Sequence, residues 1–332
     1  MKIEDTGSWV SEPLGFLKLS EAFRGGTDIT LSHRTHTGKS RNFKWVPEDD
    51  YFFVLEMGGV VPRRHFFPFG KTTMFIDTNS IGRRALSEVK TLYDVHNIRI
   101  SPALIGIEGS QGRNQTTEEY RKNVEKVHQK LKSIEFQNGK VLEPRQLDET
   151  REILINSFTD PGKEASFLRQ VMELLETNSL SNNSKDDLLD GILECADQAK
   201  IERGELAVTA ALQIVFAPAN EDYNIAGNSF FDAGRRVLKP KKSPSTKEVY
   251  NVLNDLRLLK ILAAPSADLQ NCCLLTNDKG LALLWAGLNV YCSRKPDGRI
   301  AMATNFKLKE DGAPEMFPHF TLEQHERFSS KV

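Results

Sequence analysis

Thr73–Ser80 reads TMFIDTNS: a short apolar run (Met74, Phe75, Ile76) stops on the carboxylate of Asp77, followed by Thr78 and Asn79. Apolar runs of this length, made of residues that suit a pleated surface, predict a buried strand. In open parallel sheets, reactive groups stand just past the carboxyl ends of strands, where the loops leave a crevice. Asp77 has apolar strand behind it and solvent ahead. Aspartate is also a common cap for a following helix. Taken alone, the octapeptide leaves both readings open.

Strand followed by aspartate recurs near the other end of the chain. Cys272–Leu275 (CCLL) runs into Thr276-Asn277-Asp278-Lys279-Gly280, Gly280–Trp285 reads as a short helix, and Leu288–Cys292 reads as another strand. Just downstream of Asp77, Ser80–His96 has a helical pattern carrying Arg83, Arg84 and Lys90, and Asn97–Ile100 is a second short strand. Ser101-Pro102 is a helix start, a capping hydroxyl with proline in the first turn. Glu108 follows about one turn beyond Leu104, between Gly106 and Gly109, which would allow backbone or ligand to approach closely. It is either a site residue or a solvated helix glutamate. The strand–helix–strand rhythm predicts an α/β fold with a parallel sheet.

The middle of the chain is helical in pattern. Thr116–Ile134 is amphipathic, and Gln146–Phe158, Glu164–Glu176, Lys185–Ile201 and Glu205–Phe216 follow with little β-branched alternation. Asp186, Asp187, Asp190, Glu194 and Asp197 form an acidic stripe, expected to be a solvated face. Asn220–Pro244 reads as irregular and ends in a basic run of Arg235, Arg236, Lys239, Lys241 and Lys242. That run is either a phosphate contact or a solubilising linker. Ser245–Ala263 is the clearest helix: Ser245 and Glu248 make a capping box, and leucines and valines recur at helical spacing. Asp255 sits at the margin of its apolar face with Asn251 one turn earlier. An unpaired charge there is costly, so a basic side chain or a metal is expected beside it.

Residues 1–70 are expected to be an extension that is partly β, with Tyr51–Met57 as a strand and Gly58-Gly59 as a turn. His33 and His36 have neither the spacing nor the companion cysteines of a zinc finger. Gly38-Lys39-Ser40 and Gly70-Lys71-Thr72 lack the leading glycine of a phosphate-binding loop.

With 332 residues, 39% hydrophobic and 27% charged content and a formal net charge of −1, the chain has ordinary globular composition and no global field for nucleic acid. Its four cysteines show no CxxC spacing, which suits reduced thiols and a cytoplasmic protein. The acidic N-terminus does not read as a signal peptide, and no stretch reads as membrane-spanning.

Two strand-terminal aspartates, a helix-start glutamate and a helix aspartate would, on converging, repel unless divalent cations share the space. Oxygen-only ligands favour Mg²⁺ or Mn²⁺ over zinc. At these residues (Asp77 in FIDTN, Glu108 after Ser101-Pro102, Asp255 in the capped helix, Asp278 in LLTNDKGL before GLNVY) the chain resembles the PIN-domain nucleases. The resemblance implies a Rossmann-like, three-layer α/β nuclease core at 71–135 and 245–295. It leaves 140–244 as a helical insertion with a basic loop at 235–247, and 296–332 as a tail. Asp77, Glu108, Asp255 and Asp278 would be catalytic metal ligands, and Asn79, Thr276 and Asn251 would support them. Arg83, Arg84, Arg235, Arg236, Lys239, Lys241, Lys242 and Lys279 would contact the nucleic acid. The implied activity is metal-assisted endonucleolytic hydrolysis of RNA to 5′-phosphate and 3′-hydroxyl ends, as in a toxin or defence effector, with an inhibitory partner or a homo-oligomer as restraint. Asp232 is the runner-up for the helix ligand. The alternatives are a DNA or flap nuclease and a non-catalytic PIN-like binding module. A phosphatase of the haloacid-dehalogenase type needs an acid at position 79, which is Asn.

Overall fold

The computed structural model describes residues 9–25, 28–35, 38–46, 52–68, 72–82, 90, 92, 98–108, 116–133, 140–143, 147, 161–177, 184–216, 233–263, 271–294, 300–307, 310, 314–317 and 320–329. The chain forms two compact units. One comprises Met1–Gly109, Gln115–Glu152 and Pro265–Asp278; the other comprises Ser110–Asn114, Ile153–Ala264 and Lys279–Val332. No described helix is long and apolar enough to cross a membrane.

In chain order the first unit contains β1 (Trp9–Ser11), α1 (Phe16–Gly25), β2 (Ile29–Thr35), β3 (Ser40–Trp45), β4 (Phe53–Glu56), β5 (Gly59–Pro62), β6 (Thr72–Ile76), β7 (Ile98–Ser101), α2 (Ala103–Glu108), α3 (Thr117–Lys132), β8 (Lys140–Val141) and β9 (Cys272–Thr276). Six strands make one sheet in the order β5-β4-β9-β6-β7-β8. The pairings β9–β6, β6–β7 and β7–β8 are parallel, whereas β4 runs antiparallel to both β9 and β5. The fold is therefore mixed α/β with a mostly parallel sheet. The strand expected at Tyr51–Met57 does not stand apart as an extension: Phe53–Glu56 pairs with β9, and the turn at Met57-Gly58 folds β5 back on it.

Every residue of β6 is buried, so its apolar run is covered on both faces. Met74 and Ile76 share a core with Ile98, Ile100, Cys273 and Leu275 from neighbouring strands and with Ile105, Val127 and Leu131 from α2 and α3. Burying each such side chain is worth about 1.5–3 kcal/mol. Gly106 belongs to this packing and not to ligand approach, because a Cβ there would lie 2.5 Å from Val124 and 2.6 Å from Tyr120. The separate antiparallel sheet β1-β2-β3 and helix α1 send Trp45 and Phe23 against the ring of Phe53, at 6.2 and 5.3 Å between centroids.

The second unit contains α4 (Pro161–Thr177), α5 (Lys185–Ala199), α6 (Leu206–Phe216), α7 (Ala233–Leu238), α8 (Thr246–Ala263), α9 (Lys279–Ala286), β10 (Leu288–Arg294), β11 (Ile300–Phe306) and α10 (Leu322–Ser329). Every residue of α6 is buried, as expected of a helix apolar all round. The capping box expected before α8 is present: Glu248 accepts from the Ser245 N–H at 2.8 Å, and Ser245 Oγ accepts from the Glu248 N–H at 3.3 Å.

Three expectations are corrected here and one is met with an addition. Strand β10 does not extend the parallel sheet; it pairs antiparallel with β11, from Leu288↔Phe306 to Arg294↔Ile300. Residues in the stretch read as a tail include β11 and α10, and Phe317 and Phe320 pack against Phe216. The acidic stripe on α5 is exposed, as expected, and part of it is also paired: Arg327 of α10 bridges Asp186 at 2.9 Å and also reaches Asp190. Arg235 and Arg236 lie on helix α7 and not in irregular chain. Gly234 allows that helix to dock: its N–H donates to Gln213 Oε1 at 2.6 Å, and a Cβ would collide with the Ala210 carbonyl.

One packing feature had no counterpart in the sequence reading. Lys260 of α8, 3% exposed at its side chain, pairs with Glu164 of α4 and lies 2.6 Å from Glu205, while Arg257 reaches Glu164 at 3.5 Å. Removing one member leaves an uncompensated buried charge. Lys260→Met is expected to cost about 3–5 kcal/mol in urea unfolding, with part of the loss recovered when Glu164→Gln is added.

Candidate active site at the strand ends

Among the parallel strands, β6 comes first in the chain, β7 and β8 follow on one side, and β9 returns to the other side. The direction of connection reverses between β6 and β9, which makes their carboxyl ends the crevice of the sheet. Ile76 is in register with Leu275, so Asp77, the first residue past β6, follows beside Thr276, the last residue of β9.

Asp77 is 2% exposed and caps a 3-10 turn at Thr78–Ile81. Its Oδ1 accepts from the Ser80 N–H at 2.8 Å and the Ser80 hydroxyl at 2.6 Å. Its Oδ2 accepts from the Thr276 hydroxyl at 2.7 Å. Thr276 Oγ1 in turn accepts the Asp278 N–H at 3.0 Å, so one hydroxyl ties both aspartates together. Burial pushes the Asp77 carboxyl above its ordinary range; the three hydrogen bonds oppose this only in part, and the negative charge of Asp278 adds to it. Among the described residues, no basic side chain pairs with Asp77. The capping role is present, whereas the solvent expected ahead of Asp77 is not, because the residue is almost fully buried.

The other expected site residues are distributed as follows. Glu108 ends α2, and its side chain lies outside the described residues, as do that of Asn79 and the whole of Arg83, Arg84 and Asp232. Asp255 is half-buried on α8 in the second unit and has Lys239 Nζ 3.7 Å from Oδ2, so the cation expected beside it is supplied by a basic side chain. Asn251 is exposed on the same helix. Arg235, Lys239, Lys241 and Lys242 are exposed, with Lys241 paired to Glu248. Lys279 opens α9 half-buried, its ammonium disfavoured by burial and by Arg236. Among the described residues, no three His, Cys, Asp or Glu side chains come together to hold a metal ion.

Ser80 is the residue that sequence reasoning missed. Its signal was present, since a hydroxyl three residues after a capping aspartate can meet it across the turn. Comparison with protein-family models, with curated proteins and with solved structures returned no match.

The direction of the Asp77 shift fixes a pH dependence. A carboxyl raised above its ordinary value of 3.8 destabilises the fold when ionised, and that cost disappears as pH falls below the unfolded value. In EDTA, Asp77→Asn is expected to melt at or above the wild-type temperature at pH 7, and the difference should shrink towards zero near pH ~3.5. A lower melting temperature for the variant at pH 7 would contradict the assigned strain.

Proposed function

We propose that this chain is a PIN-like, divalent-metal-dependent endoribonuclease acting at the carboxyl ends of β6 and β9. The observation that carries the reading is a buried carboxylate, Asp77, held beside a second one, Asp278, at the reversal point of a mostly parallel sheet. A buried carboxylate with a half-buried one beside it is the kind of place that favours a cation.

The donor chemistry fits a hard ion. Asp77, Asp278 and the Thr276 hydroxyl offer only oxygen, as Mg²⁺ and Mn²⁺ prefer. Three hydrogen bonds occupy three of about four acceptor positions on Asp77. One lone pair is left for a ligand. Asp77 and Asp278 would hold the ion, with Glu108 as the further acid expected from the resemblance. When bound, such an ion supplies an activated water and offsets charge developing on the phosphate oxygens. Ser80 and Thr276 fix the Asp77 rotamer before any substrate arrives, so no reorganisation is needed at the moment of reaction. The exposed Arg235, Lys239, Lys241 and Lys242 are proposed to meet phosphates. A cytoplasmic location accords with Cys195, Cys272 and Cys273 being free thiols.

One observation favours a second reading. Because Asp77 completes a turn and its oxygens are largely satisfied, the same geometry serves a non-catalytic PIN-like binding module.

Purified protein is expected to cleave single-stranded RNA with Mn²⁺ or Mg²⁺, to stop with EDTA, and to leave 5′-phosphate ends. Asp77→Asn should lower the rate by at least about 10²-fold with the fold intact. Undiminished cleavage by the variant would overturn the assignment, and absence of cleavage by wild type with any divalent ion would leave the binding module.

A further inference from the structure

The first unit contains two stretches without a single acidic residue, 29–45 and 57–76, which together hold seven Lys and Arg in a chain whose formal net charge is −1. The fold brings them together through rings. His33 of β2 is 1% exposed, and its imidazole lies 4.5 Å from the Phe43 ring, 5.6 Å from His65 and 5.4 Å from Phe67, between centroids. His65 and Phe67 come from the short 3-10 turn after β5 and the chain beyond it, and the His65 ring is 6.1 Å from Phe43. Neither ring nitrogen of His33 has a hydrogen-bond partner among the described residues, an unusual cost for a buried imidazole.

Cover over this face runs out along the hairpin. On β2 the residues Ile29, Leu31, His33 and Thr35 are buried; on β3 the same face passes from buried Trp45 to half-buried Phe43 to exposed Arg41. Arg41 stands opposite His33 in the register, and Arg64 is exposed beside half-buried His65. Two ion pairs lie on the hairpin's other face: Glu12 pairs with Arg34 at 2.9 Å and Asp28 with Lys44 at 3.2 Å. His33 is held neutral, its value pushed down to about 4 by burial and by His65, so the rings meet as neutral stacking surfaces at physiological pH.

We propose that Phe43, His65 and Phe67, packed around His33 and flanked by Arg41 and Arg64, form a stacking platform for the bases of single-stranded RNA. Half-exposed rings beside cations, with no acid in either contributing stretch, are the composition that sequence-tolerant binding of single strands requires. Duplex RNA keeps its bases stacked on one another and has no face to offer. The choice of RNA rests on the ribonuclease reading; the platform itself lies on different elements from Asp77.

The test uses the full chain in EDTA with a fluorescein-labelled 12-nucleotide oligo(U), read by fluorescence anisotropy between 50 and 200 mM KCl. Phe43→Leu and Phe67→Leu keep apolar volume and should fold, as thermal melts will check, while each weakens binding about tenfold. Arg41→Gln with Arg64→Gln should flatten the slope of log Kd against log salt by about 1.4. A duplex of the same length should bind more weakly. Leucine variants that bind like wild type, an unchanged salt slope in the arginine pair, or equal duplex affinity would each overturn the platform. Phe43-dependent binding by a protein that never cleaves RNA would end the ribonuclease reading and keep the platform; cleavage with Phe43-independent binding would do the reverse.

Discussion

An aspartate nearly sealed from water, braced by two hydroxyls and one backbone N–H, is the constraint around which the first unit is built. Ionised carboxylates resist burial, and the three donors here do not fully offset that resistance. The strain persists because everything around it is over-determined. Strand β6 is covered on both faces, β9 is locked beside it in register, and the turn after Asp77 is closed by Ser80. A carboxylate held this way costs stability when ionised, and its rotamer is fixed by the same three donors.

The two units solve their charge problems differently. In the helical unit, Lys260 and Arg257 answer Glu164 and Glu205, so buried charge is matched by buried charge. Asp255, a carboxylate at a helix margin, likewise has Lys239 nearby. At the strand ends no described cation does this for Asp77. Within one chain, buried charge is thus answered by buried charge in the helical unit and by neutral donors at Asp77.

What the sequence revealed followed periodicity and local chemistry. The strands ending at Asp77 and before Asp278, the capped helix after Ser245, and the helical pattern of 161–216 are local signals, and the structure has elements at each. Non-local facts were not legible. Nothing in Tyr51–Met57 announces that it will pair antiparallel with a strand from the far end of the chain. Nothing in LNVYC tells a parallel strand from a hairpin arm, since both are short β-branched runs. Lys260 sits at a helical position where lysine is ordinarily solvated, and only the approach of α4 buries it. The ligand role given to Asp255 came from its place at a helix margin together with the resemblance, where Lys239 stands instead, and the side chain of Glu108 lies outside the described residues.

Strand β9 lies between β4 and β6, yet it is contributed by residues 272–276, after the entire helical stretch has been made. The hydroxyl that holds Asp77 therefore spans 199 positions of sequence. While the chain is being synthesised, β4 and β6 have no partner between them, and the carboxylate has only half its cradle. Such a late, long-range closure is slow. It also orders the events: the Ser80 side of the Asp77 cradle is local and can form first, and the Thr276 side closes only after the intervening helices have been made.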